Sequence, residues 1–363
     1  MSGQSGRNLP GSSIITNTVI VGDARKRLAE IPEASVDSVV TSPPYFQLRD
    51  YGSKNQMGLE PDVSAWVNEL RLVMGGLSRV LKPTGSVWLN LGDSFSRHPH
   101  FGAPSKSLLL GPERLALALI EDGWTIRNKV IWAKTRSMPS SVRDRLSCTW
   151  EVIYFLTRSH HYYFDLDAIR IPHLTSLKHP AKALKPYPPL SASPPNWAGP
   201  LAGNNVGLAK LKAQGLSGHP LGKNPGDVWT MASANFRGEH FATFPPRLVE
   251  QPLLATCPEK VCIRCGSPWQ RNQAKTVGHI TVPGDLRPSC KCRKGWRPGV
   301  VLDPFFGAGT VGLVAEAHRR DWLGIELNPR FAKLAMERIT EARITRDRIT
   351  GDSAGQQAKE EVS

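Results

Sequence analysis

No stretch of the 363-residue chain offers the run of about 20 apolar residues that a bilayer-spanning helix needs. Its hydrophobic strings are short and broken by charge, so no membrane span is expected. The opening MSGQSGRNLPGSS lacks the apolar core of a secretion signal, and export is not expected either. Acid is in deficit: 31 Asp and Glu face 46 Lys and Arg, a formal net charge of +15. Such an excess points to a polyanion partner, most often nucleic acid; a merely soluble basic surface is the plainer alternative. Cysteine is scarce as well. Six cysteines cannot build a disulfide scaffold at this length, and five of them, Cys257, Cys262, Cys265, Cys290 and Cys292, fall in one short segment. That clustering favours metal binding over disulfides. With 40% hydrophobic residues, the chain has ample material for a core, which excludes wholesale disorder.

Periodicity then organises what is present. Thr18 to Val21 and Val36 to Val40 read as short strands, the second halted by Ser42-Pro43-Pro44. Val63 to Leu81 repeats Trp66, Leu70, Val73, Leu77 and Leu81 at helical intervals, and Lys82-Pro83-Thr84-Gly85 predicts its stop. Ser86 to Leu91, Ile126 to Trp132 and Val152 to Leu156 predict strands, and Glu113 to Glu121 a helix. Residues 173–227 are rich in Pro, Gly, Ser and Lys and poor in apolar runs, as in a long loop or inserted module. The best-defined unit, Val300 to Ile339, reads strand, Gly-rich turn, helix, strand, helix. A polar tail follows from Thr345. Alternating strands and helices predict an α/β fold, a mostly parallel sheet with helices on both faces.

Two motifs carry chemistry. The turn Asp303-Pro-Phe-Phe-Gly-Ala-Gly-Thr310 joins a strand to a helix, and its glycines let backbone approach a ligand closely. Glu326 ends the next strand, where a carboxylate can accept from two ribose hydroxyls. A Gly-rich turn alone is also an ordinary tight turn; strand, turn, helix, strand and terminal acid together say more. No Gly-Lys-Ser/Thr follows, so this is not a P-loop. The second motif, Thr41-Ser-Pro-Pro-Tyr45, also follows a buried strand. Its prolines fix a rigid turn without N–H donors, so the turn presents acceptors, while Ser42 adds a hydroxyl and Tyr45 a flat ring. Such a site suits an –NH₂ group on a planar ring; a plain Pro-Pro turn is the alternative.

Together, TSPPY and DPFFGAGT resemble the catalytic and cofactor motifs of amino-group DNA methyltransferases that use S-adenosylmethionine. Their order, catalytic motif first, is similar to the circularly permuted β-group. Gly22-Asp23, His240-Phe-Ala-Thr-Phe-Pro245, Gly222 to Trp229 and Arg143 to Asp165 also resemble family segments, so the likeness covers most of residues 18–340. It implies a methyltransferase-type, Rossmann-like fold with a flexible tail at 1–17 and a catalytic half at 18–135. A target-recognition region at 136–239, a cofactor half at 240–345 and a second tail at 346–363 complete it. It implies transfer to a base flipped out of double-stranded DNA, with Ser42, Pro43, Pro44 and Tyr45 at the amine. Asp23, Phe244, Glu326 and Asn328 would contact the donor's adenosine half. Asp303, Pro304, Phe305, Gly307, Gly309 and Thr310 would hold its methionine half, Asp303 at the amino group. Asn328 is equally an N-cap for the helix that follows. In this family SPPY is commoner among cytosine-N(4) enzymes and DPPY among adenine-N(6) enzymes, so cytosine is favoured and adenine is the alternative. RNA or protein methylation, and a DNA-binding module without catalysis, are weaker readings. Methylation at cytosine carbon-5 needs a Cys nucleophile, usually after Pro, and Cys148 in Ser-Cys-Thr lacks that context. The likeness further implies a cytoplasmic enzyme of a bacterium or phage-infected host, with a cognate restriction endonuclease as a candidate partner and a homodimer left open.

Cys262-Ile-Arg-Cys265 and Cys290-Lys-Cys292 predict a structural zinc loop within 257–297, with Cys257 as a substitute ligand. Basic neighbours such as Arg264, Lys291, Arg293 and Lys294 make DNA phosphates a candidate contact.

Overall fold

A computed structural model describes residues 14–137, 140–172, 219, 221–234, 244–272, 275–277 and 280–360. Residues 173–218 of the expected insertion, 240–243 of the HFATFP segment and the first 13 residues lie outside them. The first half runs β1 (Thr18–Val21), α1 (Ala24–Arg27), β2 (Val36–Thr41), α2 (Val63–Val80), β3 (Leu81–Leu91), α3 (Gly111–Glu121), β4 (Thr125–Lys134) and β5 (Trp150–Thr157). Next come β6 (Val228–Met231) and α4 (Pro246–Thr256). Six short strands follow: β7 (Val261–Cys262), β8 (Gln270–Arg271), β9 (Lys275–Val277), β10 (Ile280–Val282), β11 (Leu286–Arg287) and β12 (Trp296–Arg297). The chain then forms β13 (Val300–Asp303), α5 (Thr310–Ala317), β14 (Asp321–Glu326) and α6 (Pro329–Glu360).

Eight strands form one sheet in the order β1-β14-β13-β2-β3-β5-β4-β6. Five of the seven neighbouring pairs are parallel; only β3–β5 and β5–β4 are antiparallel. The mostly parallel sheet expected from the sequence is what forms. Strands covered on both faces leave no residue to solvent, and all six residues of β2 are buried; its polar members, Asp37, Ser38 and Thr41, each have hydrogen-bond partners. Successive side chains take opposite faces. Val39 joins a core with Trp66, Leu70 and Leu77 of α2 and Leu115 and Leu119 of α3. Val40 joins the other, with Leu248 and Leu253 of α4, Val311 of α5 and Ile339 of α6.

Contacts divide the chain into a main unit, residues 1–165, 226–270 and 288–363, and a smaller one, 166–225 and 271–287. The smaller unit contains the β9–β10 hairpin, an Arg170–Asp167 ion pair and a bridge between Ile171 and Lys223. Strands β5 and β6 fall inside the stretch 136–239, yet both belong to the main sheet, so the core extends into the expected recognition region.

Two boundaries differ from the sequence reading. Strand β3 begins at Leu81, not Ser86, directly after α2. Its pairing with β2 shifts irregularly between Val36 and Ser38, and that bulge absorbs the residues that read as a helix stop. Helix α6 runs to Glu360, past Ile339, where the expected helix ended, and through the expected polar tail from Thr345. The segment is polar but contains no proline, so nothing in it forbids the helix.

At the start of β3, Lys82 turns inward. Its ammonium lies 2.6 Å from Asp37 Oδ1, with the two side chains 8% and 2% exposed. Asp37 Oδ2 accepts from Val300 N at 3.0 Å, so one carboxylate ties the beginnings of β2, β3 and β13. Lys82→Met should lower the unfolding free energy by about 3 kcal/mol or more, because Asp37 would stay buried without its counter-ion. Urea denaturation checks this, and adding Asp37→Leu should recover part of the loss.

Candidate active site

Strands β2 and β13 are parallel neighbours, with Ser38 opposite Val301 and Val39 opposite Leu302. Their carboxyl ends therefore emerge side by side. Thr41 Oγ1 donates to Asp303 Oδ1 at 2.6 Å, joining the last residues of both strands. Beyond this link opens a cleft of about 550 Å³. Ser42, Pro43, Pro44 and Tyr45 line one wall, and Pro304, Phe305, Gly307 and Thr310 the other. Asp23, Phe244, Glu326 and Asn328 line it too. Of the cleft residues singled out from the sequence, only Asp303 and Gly309 are not in its lining.

The glycine turn is shaped by its backbone. Gly307 and Gly309 have φ of 51° and 74°, in the left-handed region that disfavours side chains. A Cβ on Gly309 would also meet Ala335 Cβ at 2.8 Å, so this glycine lets α5 start close against α6. Glu326 holds the turn: its Oε2 accepts from Gly307 N at 2.7 Å and its Oε1 from Asn328 N at 2.8 Å. Each oxygen keeps a lone pair for a further donor. Burial raises the Glu326 pKa against these hydrogen bonds. Asn328 does cap α6, its Oδ1 accepting from Arg330 N at 3.0 Å, and it borders the cleft as well. Asp23 caps α1 through Arg25 N at 2.9 Å. Burial works against its charge, but the Arg25 guanidinium bonded to it prevails and lowers its pKa.

Asp303 sits beneath the turn. Its Oδ1 accepts from Thr41 Oγ1 and Phe305 N, while Oδ2 is buried without a hydrogen-bond partner. Buried unpaired oxygens are uncommon, and a donor is owed there. Asn90 Oδ1 is a second such atom, on a residue that lines the cleft.

The opposite wall contains residues that the motifs did not single out. Asn90 near the end of β3, Lys134 at the end of β4 and Glu151 at the start of β5 all line the cleft. Tyr45 Oη donates to Glu151 Oε2 at 2.7 Å and lies 3.1 Å from Ser42 Oγ. Asn90 Nδ2 reaches Tyr45 Oη at 2.6 Å, Glu151 Oε2 at 2.8 Å and Ser42 Oγ at 3.3 Å. The Lys134 ammonium pairs with Glu151 Oε1. Burial first, and then the Glu151 charge, raise the Tyr45 pKa well above that of an ordinary phenol. Trp66 Nε1 donates to Pro44 O at 3.0 Å and braces the proline corner from α2. A polar residue inside SVWLNL and an acid opening EVIYFL were the available signals for Asn90 and Glu151. Cys148, set aside as a nucleophile, borders the cleft as a free thiol.

The cysteines gather elsewhere. The Sγ atoms of Cys262, Cys265, Cys290 and Cys292 all lie within 4.8 Å of one another. Strands β7 and β12 pair beside them, with Trp296 opposite Cys262. Lys82 Nζ reaches Gly266 O at 3.4 Å, so the loop adjoins the start of β3, whereas the cleft lies at the other ends of the strands. Cys257 is no substitute ligand: it is packed in the core, and burial pushes its thiol up.

A mostly parallel sheet, with a glycine turn facing a serine–diproline corner across one cleft, defines an amino-methyltransferase type of site. A family model described as DNA methylase, named for N6 and N4 methyltransferases, matches residues 36–337. Type II methyltransferase M.Cfr9I of Citrobacter freundii is 30% identical over 343 residues, 89% of this chain and 87% of that protein. Type II methyltransferase M.SmaI of Serratia marcescens is 31% identical over 353 residues, covering 92% and 94%. The solved structure of PvuII DNA methyltransferase (cytosine-N4-specific) aligns with a TM-score of 0.53 at 17% identity, covering 92% of this chain and 95% of that one, and shares its fold. The chain belongs to the DNA methylase family of amino-methyltransferases.

Burial pushes Asp303 up to about 7 from an ordinary 3.8. Between those values the folded chain holds a proton that the unfolded chain has released. Asp303 therefore costs stability as pH rises from about 4 to 7. Asp303→Asn should gain on the wild type across that window, on the order of 1 kcal/mol per pH unit. Urea denaturation of the ligand-free proteins at several pH values checks this; a difference independent of pH would contradict it.

Proposed function

We propose that this DNA methyltransferase modifies the exocyclic N(4) amine of cytosine in double-stranded DNA, using S-adenosylmethionine. The observation that carries this reading is the meeting of the Ser42 corner and the glycine turn in one cleft. Ser42, where adenine-N(6) relatives more often have Asp, favours cytosine. Adenine-N(6) poses the same chemical problem and is the alternative.

Several features fit the methyl donor. The cleft volume falls within the usual range for small-ligand sites, roughly 300–1,000 Å³. Glu326 keeps lone pairs for ribose hydroxyls, with Asp23, Phe244 and Asn328 nearby for the adenosine half. The orphaned Asp303 Oδ2 suits an ammonium beneath the methionine half, beside Pro304, Phe305, Gly307, Gly309 and Thr310. When bound, the donor supplies an activated methyl group on a sulfonium. The chain's own task is to prepare the amine. Conjugation with the ring makes that nitrogen's lone pair poorly available. Hydrogen bonds from its two N–H groups to Ser42 Oγ and the Pro43 carbonyl favour a pyramidal nitrogen and free the lone pair. No covalent enzyme intermediate is needed, and catalysis rests on position and electrostatics. A base inside a duplex cannot reach such a corner, so it is flipped out, with the Tyr45 ring as a stacking face.

The parts of 136–239 outside β5 and β6 are proposed to read the target sequence, and exposed Arg143 and Arg145 suit phosphate contact. The thiolates of Cys262, Cys265, Cys290 and Cys292 are proposed to bind structural zinc. A tetrahedral site with Zn–S bonds of about 2.3 Å brings its sulfurs slightly under 4 Å apart, near the observed clustering. Zinc there would clip a loop that has little core of its own. A cytoplasmic setting and a cognate endonuclease accord with the Type II relatives. Among the described residues no helix is long and apolar enough to cross a membrane.

Three experiments test these readings. Unmethylated DNA incubated with protein and donor, digested and analysed by mass spectrometry, should yield N(4)-methylcytosine; N(6)-methyladenine would select the alternative. Ser42→Ala should cut turnover about 100-fold with donor affinity nearly unchanged. Freshly purified protein should hold about one zinc per chain, lost in Cys262→Ser/Cys265→Ser. Metal analysis that finds no zinc in the fresh wild type would remove that part.

A further inference from the structure

We infer that Glu151 is a positioning residue: it sets the direction of a hydrogen-bond chain that ends at Ser42, so that Ser42 meets the target amine with a lone pair and not with its proton. The inference rests on the amino-methyltransferase reading and concerns a residue outside both motifs.

Counting protons carries the argument. An ionised carboxylate can only accept, and a phenol has a single proton. Tyr45 Oη spends that proton on Glu151 Oε2, 2.7 Å away. Its oxygen is then an acceptor toward its other neighbours, Asn90 Nδ2 at 2.6 Å and Ser42 Oγ at 3.1 Å. Ser42 in turn spends its only proton on Tyr45. What it keeps for the cleft is a lone pair, alongside the longer contact from Asn90 Nδ2 at 3.3 Å. That is the polarity the reaction needs. The target amine reaches the cleft as a donor, and its own lone pair must be left for the methyl carbon. A serine that donated to this nitrogen would compete for the same electrons.

The rest of the site keeps the chain pointing this way. The Lys134 ammonium on β4 pairs with Glu151 Oε1 and offsets the desolvation of a carboxylate that is only 14% exposed. Asn90 Nδ2 also donates to Glu151 Oε2 at 2.8 Å. The raised Tyr45 pKa keeps the phenolic proton in place. A simple strand position would not need this ion pair at the cleft wall: replacing a buried pair by apolar residues is often neutral or stabilising.

Glu151→Gln tests the idea, because a side-chain amide can donate to Tyr45 and allow the chain to reverse. Single-turnover methylation of DNA should slow about 100-fold, the scale of losing one preorganised group in a site. Binding of S-adenosylhomocysteine, measured by calorimetry, and the melting temperature should stay at wild-type values. In a Tyr45→Phe background the chain is already cut, so Glu151→Gln should add little further loss. Wild-type rates in Glu151→Gln, multiplicative losses in the double variant, or a rate loss that follows lost melting temperature would each overturn the inference while leaving the enzyme reading intact. A wild-type protein that methylates no DNA would overturn that reading, and this inference with it.

Discussion

Two buried strands lying side by side, β2 and β13, are the constraint on which the rest depends. Thr41 and Asp303, 262 positions apart in the chain, share a hydrogen bond of 2.6 Å at their ends. Parallel pairing requires both strands to point the same way, so their exits share one edge of the sheet. A serine–diproline corner leaves one exit and a glycine turn leaves the other. Packing holds the strands in this register. Each is buried on both faces, and a slip by one residue would exchange the partners of Val39 and Val40 between two different cores.

The two edges of the sheet have different chemistry. At the carboxyl edge, polar groups are left with spare capacity: Glu326 keeps lone pairs, and Asp303 Oδ2 and Asn90 Oδ1 have no hydrogen-bond partner. At the amino edge, charge is closed off. Lys82 and Asp37 pair with each other and with backbone, next to a loop whose four thiols converge. Unused hydrogen-bonding capacity is not by itself a ligand mark, since Ser86 Oγ and Thr157 Oγ1, opposite each other on β3 and β5, are also buried without partners; the open cleft beside Glu326 and Asn90 is what gives theirs meaning.

Much of this was legible before any coordinates, wherever a signal was local. Trp66, Leu70, Val73 and Leu77 announce α2 because a helix must present one apolar face. Ser42-Pro43-Pro44 ends a strand because proline offers no N–H. Asn90, Lys134 and Glu151 gave much weaker signals. Each sits on a different strand and has no motif around it, and each acquires meaning only from side chains brought alongside by β3, β4 and β5. The start of β3 escaped for a related reason: Lys82-Pro83-Thr84-Gly85 has the composition of a helix stop, but pairing with β2 and the Asp37 carboxylate draw it into the sheet. Cys257 resembled a metal ligand by its position in the chain and is buried instead in the same core as Leu253 and Val301.

By itself, the order of residues determined the fold class, the two motifs and the four converging cysteines, because hydrophobic period, turn chemistry and short ligand spacing act over a few residues. Tertiary structure alone decided which strand ends became neighbours, that Asp303 lies beneath the cleft and not in its wall, and that Glu151 stands behind Tyr45 and Ser42. Those outcomes depend on hydrogen bonds between residues far apart in the chain, whose partners are chosen only when the sheet assembles.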